Sequence, residues 1–216
     1  MIQSPLLEIL VATRNQGKIR EIQQALRFSP IKLRYLDEFS NVLSVDEVGW
    51  TYQENAIRKA LGYSRQTGVC SLADDSGLEV DALGGMPGIF SARFGGDNAS
   101  DTRRIESLLT ELSRHPDKER TARFICCMAL AGWQSQGEPV NTANPQLLAL
   151  TEGSCEGTVA PSPRGLNGFG FDPVFVPRNY DATFAELPAE IKNNISHRAV
   201  AVTSMRAFLD HWLAQT

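Results

Sequence analysis

The chain has 216 residues, 42% apolar and 21% charged, an ordinary globular composition that excludes a disordered tail protein and predicts a single domain over 1–216. Its net charge of −4 argues against a partner nucleic acid and leaves room only for a local basic pocket that takes a small anion. Cysteines at 70, 126, 127 and 155 form no CxxC pair and read as reduced, mostly buried thiols of a cytoplasmic protein. The apolar run from Ile125 to Trp133 is too short to span a bilayer, and the N-terminus has neither the basic nor the long apolar region of a signal peptide, so no membrane partner is expected.

In chain order, Leu6 to Ala12 is an apolar run that reads as a buried strand. A polar turn, Thr13 to Lys18, follows it. Ile19, Ile22 and Leu26 then share one helical face, so the chain opens strand–loop–helix, the pattern of an α/β protein. Leu33 to Leu36 is a candidate strand. Thr51-x-x-Glu54 has the form of a capping box and starts a helix near Tyr52. Ser71 to Ala73 leads into Asp74-Asp75-Ser76-Gly77, a string with good turn chemistry, and Leu78 to Leu83 alternates with period two. Ser100 reads as the N-cap of a helix that buries Ile105, Leu108, Leu109 and Leu112. Arg123 to Ala131 reads as a central strand, Gln134 to Gln146 as a surface loop and Leu147 to Leu150 as a strand. Ser154 to Asp172 is Gly-rich without helical period. A last helix starts at Ser196 and is expected to bury Ala199, Val202, Met205, Phe208, Leu209 and Trp212.

Four strings carry candidate chemistry. The Thr13–Lys18 turn opens a helix, where backbone N–H groups and the dipole favour an anion. Lys18 opposes that dipole unless an anion is present. The string fits a phosphate cradle and also an ordinary turn with a solvated lysine. Asp46, Glu47, Asp74, Asp75, Glu79 and Asp81 fall in two loop-like places, and carboxylates from two loops could hold one Mg²⁺ against a phosphate chain. Asp74-Asp75-Ser76-Gly77 also fits a plain turn. Gly165 to Asp172 sets Phe169 and Phe171 between glycines, suited either to stacking on a base or to core packing. Lys192, Ser196, His197 and Arg198 crowd the start of the last helix against its dipole and point to an acceptor-rich ligand.

Five stretches resemble the inosine/xanthosine triphosphate pyrophosphatases, enzymes that remove noncanonical purine nucleotides from the cellular pool: VATRNQGKIREI (11–22), EVGWTYQENAIRKA (47–60), ADDSGLEVDALGGMPGIFSARFGG (73–96), GFGFDPVFVP (168–177) and TFAELPAEIKNNISHRA (183–199). They run in order across nearly the whole chain. The resemblance implies an elongated, two-lobed α/β fold with a long central mixed sheet flanked by helices, an active-site cleft between the lobes, and a homodimer. It implies Mg²⁺-dependent hydrolysis of ITP, dITP and XTP to the nucleoside monophosphate and pyrophosphate. By the same resemblance, Thr13, Arg14, Asn15, Gln16, Gly17 and Lys18 hold the phosphates with help from Lys59. Glu47 and Asp75 bind Mg²⁺, Asp75 is the catalytic carboxylate and Ser76 touches substrate. Phe169, Gly170, Phe171, Asp172, Lys192, His197 and Arg198 form the base pocket, with Lys192 and Arg198 presenting donors and no acceptor. Arg14, Val48 and Phe171 depart from the family's usual Gly, Thr and Tyr. A non-catalytic nucleotide sensor, or a pyrophosphatase for other modified nucleotides, is the rival reading; both metal carboxylates and the Ser196-His197-Arg198 element weigh against it.

Overall fold

The computed structural model describes residues 6–133 and 144–214. Six strands, β1 (Leu7–Val11), β2 (Ile31–Tyr35), β3 (Cys70–Val80), β4 (Thr121–Gly132), β5 (Gln146–Val159) and β6 (Phe175–Pro177), form one sheet in the order β2-β1-β3-β4-β5-β6. β1 pairs in parallel with β2 and β3, while β5 and β6 are antiparallel, so the sheet is mixed. The helices are α1 (Gln16–Leu26), α2 (Tyr52–Thr67), α3 (Asp101–Ser113), α4 (Ala189–Ile195) and α5 (His197–Ala214). β1 lies inside the sheet, and Ile9, Leu10 and Val11 are all fully buried. That burial on both faces is why its sequence is a continuous apolar run rather than an alternation.

The chain divides into two compact units. The first holds the chain up to Asp75, Cys127–Glu152 and the chain from Ala201; the second holds Ser76–Cys126 and Gly153–Val200. In the first, β1, β2, α1 and α2 enclose Ile22, Leu26, Ala56, Ala60 and Leu72. In the second, Leu78, Leu108, Phe124, Val174, Phe175 and Phe184 form a core in which the Phe124 and Phe175 rings meet edge-on at 4.7 Å.

Several sequence expectations change here. Asp74-Asp75-Ser76-Gly77 is not a turn but the middle of β3, an 11-residue strand. Turn propensity is a weak preference that tertiary partners override. β5 runs on through Ser154 to Val159, so the Gly-rich string is irregular only beyond it. α1 begins at Gln16, which leaves Thr13–Asn15 as the connecting turn. Lys192 lies on α4, a separate seven-residue helix too short to register as a periodic pattern, and sits in its last turn, where its charge complements the dipole rather than opposing it. On α5, Val202, Met205 and Leu209 are buried as expected, but Ala199, Phe208 and Trp212 are only half-buried. Of the expected loop at 134–146, positions 134–143 lie outside the described residues.

Candidate active site

The first group of site residues is built on α1, α2 and β3. Asn15 caps α1 by accepting the Lys18 N–H at 3.1 Å, and Thr13 Oγ1 accepts the Asn15 N–H at 3.2 Å. Helix geometry leaves the Gln16 and Gly17 N–H groups without an intrahelical acceptor. Lys18 Nζ lies 3.0 Å from the fully buried Asp74 carboxylate. The anion that the lysine's unfavourable position demanded is therefore supplied by the protein itself. Arg14 is exposed, and its guanidinium donates to the Val42 carbonyl at 3.5 Å.

Successive strand residues project to opposite faces, so Asp74 and Asp75 meet different helices. Asp75 is buried against α2, where the Asn55 amide donates to its Oδ2 at 3.0 Å and Lys59 Nζ stands 3.6 Å from its Oδ1. Lys59, itself buried, also pairs with Glu47 at 3.1 Å and donates to the Asp74 carbonyl at 2.7 Å. Its primary contacts are thus the two acids rather than open solvent. Burial pushes the Asp75 carboxyl above the ordinary carboxylate value, and the Glu47 charge adds to this while Lys59 and Lys18 pull it down. Burial pulls the Lys59 ammonium down, but Asp75, Glu47 and Asp74 outweigh it and leave Lys59 above its usual value.

The segment that carries Glu47 is tied to the start of α2. Asn55 Oδ1 accepts the Gly49 N–H at 2.8 Å and Glu54 accepts the Trp50 N–H at 2.7 Å. Thr51 caps α2 as expected, by accepting the Glu54 N–H at 3.1 Å, but Glu54 reaches back to Trp50 and not to the cap itself. Gly49 is needed for space: an added Cβ would lie 2.7 Å from Glu54 Cβ and 2.8 Å from Asn55 Oδ1.

Two carboxylates converging on one ammonium form a place already shaped for positive charge. Hard oxygen donors, two in number, suit Mg²⁺, which commonly takes one or two carboxylates and completes its shell with water and substrate phosphates. No group of three or more His, Cys, Asp or Glu side chains among the described residues could cage a metal unaided. Glu47 and Asp75 therefore fit a metal that arrives with a phosphate ligand.

The second group lies on the 168–172 turn, α4 and the start of α5. Asp172 is buried; its Oδ2 accepts the Phe169 N–H at 2.8 Å and pairs with Lys192. Gly168, at φ +77°, passes so close to this carboxylate that a Cβ would collide with it. Asp101, the first residue of α3, accepts the Gly170 N–H at 2.7 Å. The half-buried Phe169 ring is thus held by two carboxylates through its own backbone and its neighbour's. Lys192 Nζ is 4.8 Å and Arg198 Cζ 5.7 Å from its centroid. Arg198 is 1% exposed and donates to Ser76 Oγ at 2.9 Å. His197 is buried and stacks on Phe124 at 4.6 Å, so it belongs to the packing beneath this group.

Two base-pocket expectations are corrected. Phe171 is 3% exposed within the core, so its ring is a packing residue, whereas Phe169 is half-buried. Lys192 is not a bare donor, because Asp172 beside it is an acceptor. Asn55 and Asp101 went unread in the sequence. The available signal for Asn55 was its spacing of four from Lys59, which puts two polar side chains on the buried helical face of Ala56 and Ala60.

The Ham1 family model matches residues 9–208, and the chain belongs to that family. It is 40% identical over 205 residues to a dITP/XTP pyrophosphatase of Bacillus cereus, covering 95% of this chain and 96% of that protein. A dITP/XTP pyrophosphatase of Geobacter sulfurreducens is 44% identical, with 94% and 97% covered. The structure of a HAM1 protein from Coxiella burnetii is similar at a TM-score of 0.83 and 42% identity, with 95% of this chain and all of that one covered. The mixed α/β sheet flanked by helices is therefore the fold of this family.

Proposed function

We infer that the chain is a pyrophosphatase acting on noncanonical purine nucleoside triphosphates, releasing the nucleoside monophosphate and pyrophosphate from ITP, dITP and XTP. Its membership of a family whose relatives are named dITP/XTP pyrophosphatases supports this reading. The observation that carries it is the buried Asp75 carboxylate, held by Asn55 and Lys59 and joined through Lys59 to Glu47. We propose that the chain, 1–216, acts as one catalytic domain in a cytoplasmic homodimer. The four free cysteines suit a reducing compartment; the dimer rests on the family resemblance alone. Among the described residues, no helix is long and apolar enough to cross a membrane.

In the proposed mechanism, the Gln16 and Gly17 N–H groups at the start of α1 bind phosphate oxygens, with Lys18 beside them. Asp75 orients a water for in-line attack on the α-phosphorus and takes its proton, as a carboxylate whose basicity burial has raised can do. The bond from the α-phosphorus to the bridging oxygen breaks, and pyrophosphate leaves with its charge offset by Lys18 and the helix terminus. Mg²⁺, held by Glu47 and Asp75 when bound, supplies Lewis-acid polarisation of the phosphoryl oxygens.

Phe169 stacks on the purine. The Lys192–Asp172 pair sets a donor beside an acceptor, which complements O6 and N1–H of hypoxanthine or xanthine. Adenine presents the reverse, an amino donor and a bare N1, so each partner would face a like group. Sites that leave buried polar groups unmatched can reject an analogue by as much as about 10⁴–10⁵-fold. Guanine shares O6 and N1–H, so this pair does not exclude it. The test is pyrophosphate release from ITP, dITP, XTP, GTP and ATP, with and without Mg²⁺. Equal kcat/KM for ATP and ITP would refute the base reading, and full turnover in chelator would refute the metal.

A further inference from the structure

We propose that Asn55 is a positioning residue that sets the geometry between the Glu47 segment and Asp75, an inference that rests on the pyrophosphatase reading above. Its amide is used at both ends. The NH₂ group donates to Asp75 Oδ2 at 3.0 Å, and the carbonyl oxygen accepts the Gly49 N–H at 2.8 Å, two residues past Glu47. Asn55 is fully buried; its bond to Asp75 is shielded from solvent and its bond to Gly49 is part-buried. An unpaired buried polar group is costly, which holds both bonds closed together.

Two further features follow from this clamp. Gly49 has no side chain, and any Cβ would press against Asn55 Oδ1 and Glu54 Cβ, so the close approach that the bond needs is available only to glycine. Lys59 lies one helical turn along α2 and draws the same two acids together by charge. Lys59 attracts without direction, as an ammonium does, whereas a planar amide fixes an orientation. Asn55 therefore fixes Oδ2 of Asp75 by a directed bond, while Oδ1 is turned toward the Lys59 ammonium.

Outer-shell partners of metal-site carboxylates typically change activity by about 10–100-fold when removed. Asn55→Leu breaks both bonds. Asn55→Asp is isosteric, keeps an acceptor for Gly49 and replaces the donor facing Asp75 by an oxygen. Both variants are compared with wild type for kcat and KM on ITP, for thermal unfolding, and for amide hydrogen exchange in a peptide spanning residues 47–50. Both should lose about 10–100-fold in kcat with KM within about threefold, the pattern of a group acting on the reacting geometry and not on binding. Exchange at 47–50 should accelerate in Asn55→Leu and stay at the wild-type rate in Asn55→Asp. If Asn55→Leu does not fold, Asn55→Asp decides. A folded variant with kcat near wild type overturns the proposal, as does unchanged exchange in a folded Asn55→Leu. A wild type that releases no pyrophosphate from any purine triphosphate would instead overturn the pyrophosphatase reading, and the exchange measurement would still decide the clamp.

Discussion

Replacing Lys59 by Met removes the buried ammonium while keeping most of its bulk. In the protein Lys59 Nζ stands 3.6 Å from Asp75 and 3.1 Å from Glu47; the Lys59 and Asp75 side chains are 9% and 8% exposed and that of Glu47 is 41% exposed. Opposite unit charges at the Asp75 separation attract by about 4–5 kcal/mol at an effective dielectric of ~20. Removing one member of a buried pair generally destabilises by about 3–5 kcal/mol, because the survivor is left unpaired. The Glu47 contact is well solvated and adds roughly 0–1 kcal/mol. Lys59→Met should therefore lose about 3–5 kcal/mol, a fall in Tm of about 6–20 °C for a chain of this length.

That loss should depend on pH and on metal. Burial already raises the Asp75 carboxyl, and Lys59 is the strongest influence pulling it down. Without Lys59 it rises further. A carboxyl whose folded pKa exceeds its unfolded one binds its proton more tightly when folded, so stability from that group falls as pH rises through the window between the two values. The deficit of Lys59→Met should be largest near neutrality and shrink on acidification toward the ordinary carboxylate range. Mg²⁺ should replace the missing positive charge and recover part of the loss. The assay is urea unfolding followed by tryptophan fluorescence, at about pH 7.5 and about pH 5, each in Mg²⁺ and in chelator. A deficit under about 1 kcal/mol, or one indifferent to both pH and Mg²⁺, would refute the assignment of Lys59 as the internal counterion of this acid pair.

Asp75→Asn keeps the side chain's shape and should lower kcat by at least about 100-fold with an unchanged far-UV spectrum; near-normal turnover would remove Asp75 from the mechanism. Lys192→Met removes the donor beside Asp172 and should reduce the ITP-over-ATP ratio of kcat/KM by about tenfold or more, measured by pyrophosphate release; an unchanged ratio would show that the pair does not read the base. Burial and the neighbouring Glu156 carboxylate push the Cys155 thiol up to about 11. At about pH 8 only about one molecule in a thousand carries the thiolate, so iodoacetamide should label Cys155 far more slowly than free cysteine, and labelling should accelerate tenfold per pH unit up to that value. Mass spectrometry of the alkylated peptide checks this, and a rate matching free cysteine refutes it.

What could be read in the sequence was whatever depends on a period or a local cap. The apolar run of β1, the stripe of α3 and the caps at Thr51 and Ser100 are local signals, and the structure carries them, with Leu109 alone of the expected α3 stripe only partly buried. The acids at 74 and 75 were misread because Asp-Asp-Ser-Gly satisfies turn chemistry by itself. The competing claims on those residues come from Lys18, Asn55 and Lys59, which lie 15 or more positions away and cannot be matched to a strand by spacing. The acceptor at Asp172 was legible as a residue but not as a neighbour of Lys192, 20 positions on and on a helix too short to show a period. Contacts across such separations are made by the fold, and the sequence records only their residue types.

The three departures from the family's usual residues fall where the backbone is fixed by other groups. Val48 is 63% exposed, and the amides that follow it, at Gly49 and Trp50, are tied to Asn55 and Glu54 rather than to any hydroxyl at position 48. Arg14 precedes the Asn15 cap, whose own side chain organises the first turn of α1, so a solvent-directed guanidinium leaves the N–H groups in place. Phe171 lies among Val174, Phe175 and Phe184, where a hydroxyl would need a buried partner and a phenyl ring needs none. The loop that carries Glu47 and the aromatic turn are held by side chains arriving from helices, Asn55 and Glu54 from α2 and Asp101 at the start of α3, while the Thr13–Asn15 turn is tied to α1 by its own Asn15 side chain. Because a carboxylate or an amide on a helix can hold a passing N–H whatever side chain that N–H belongs to, the loops are free to vary in side chain while their backbones stay in register.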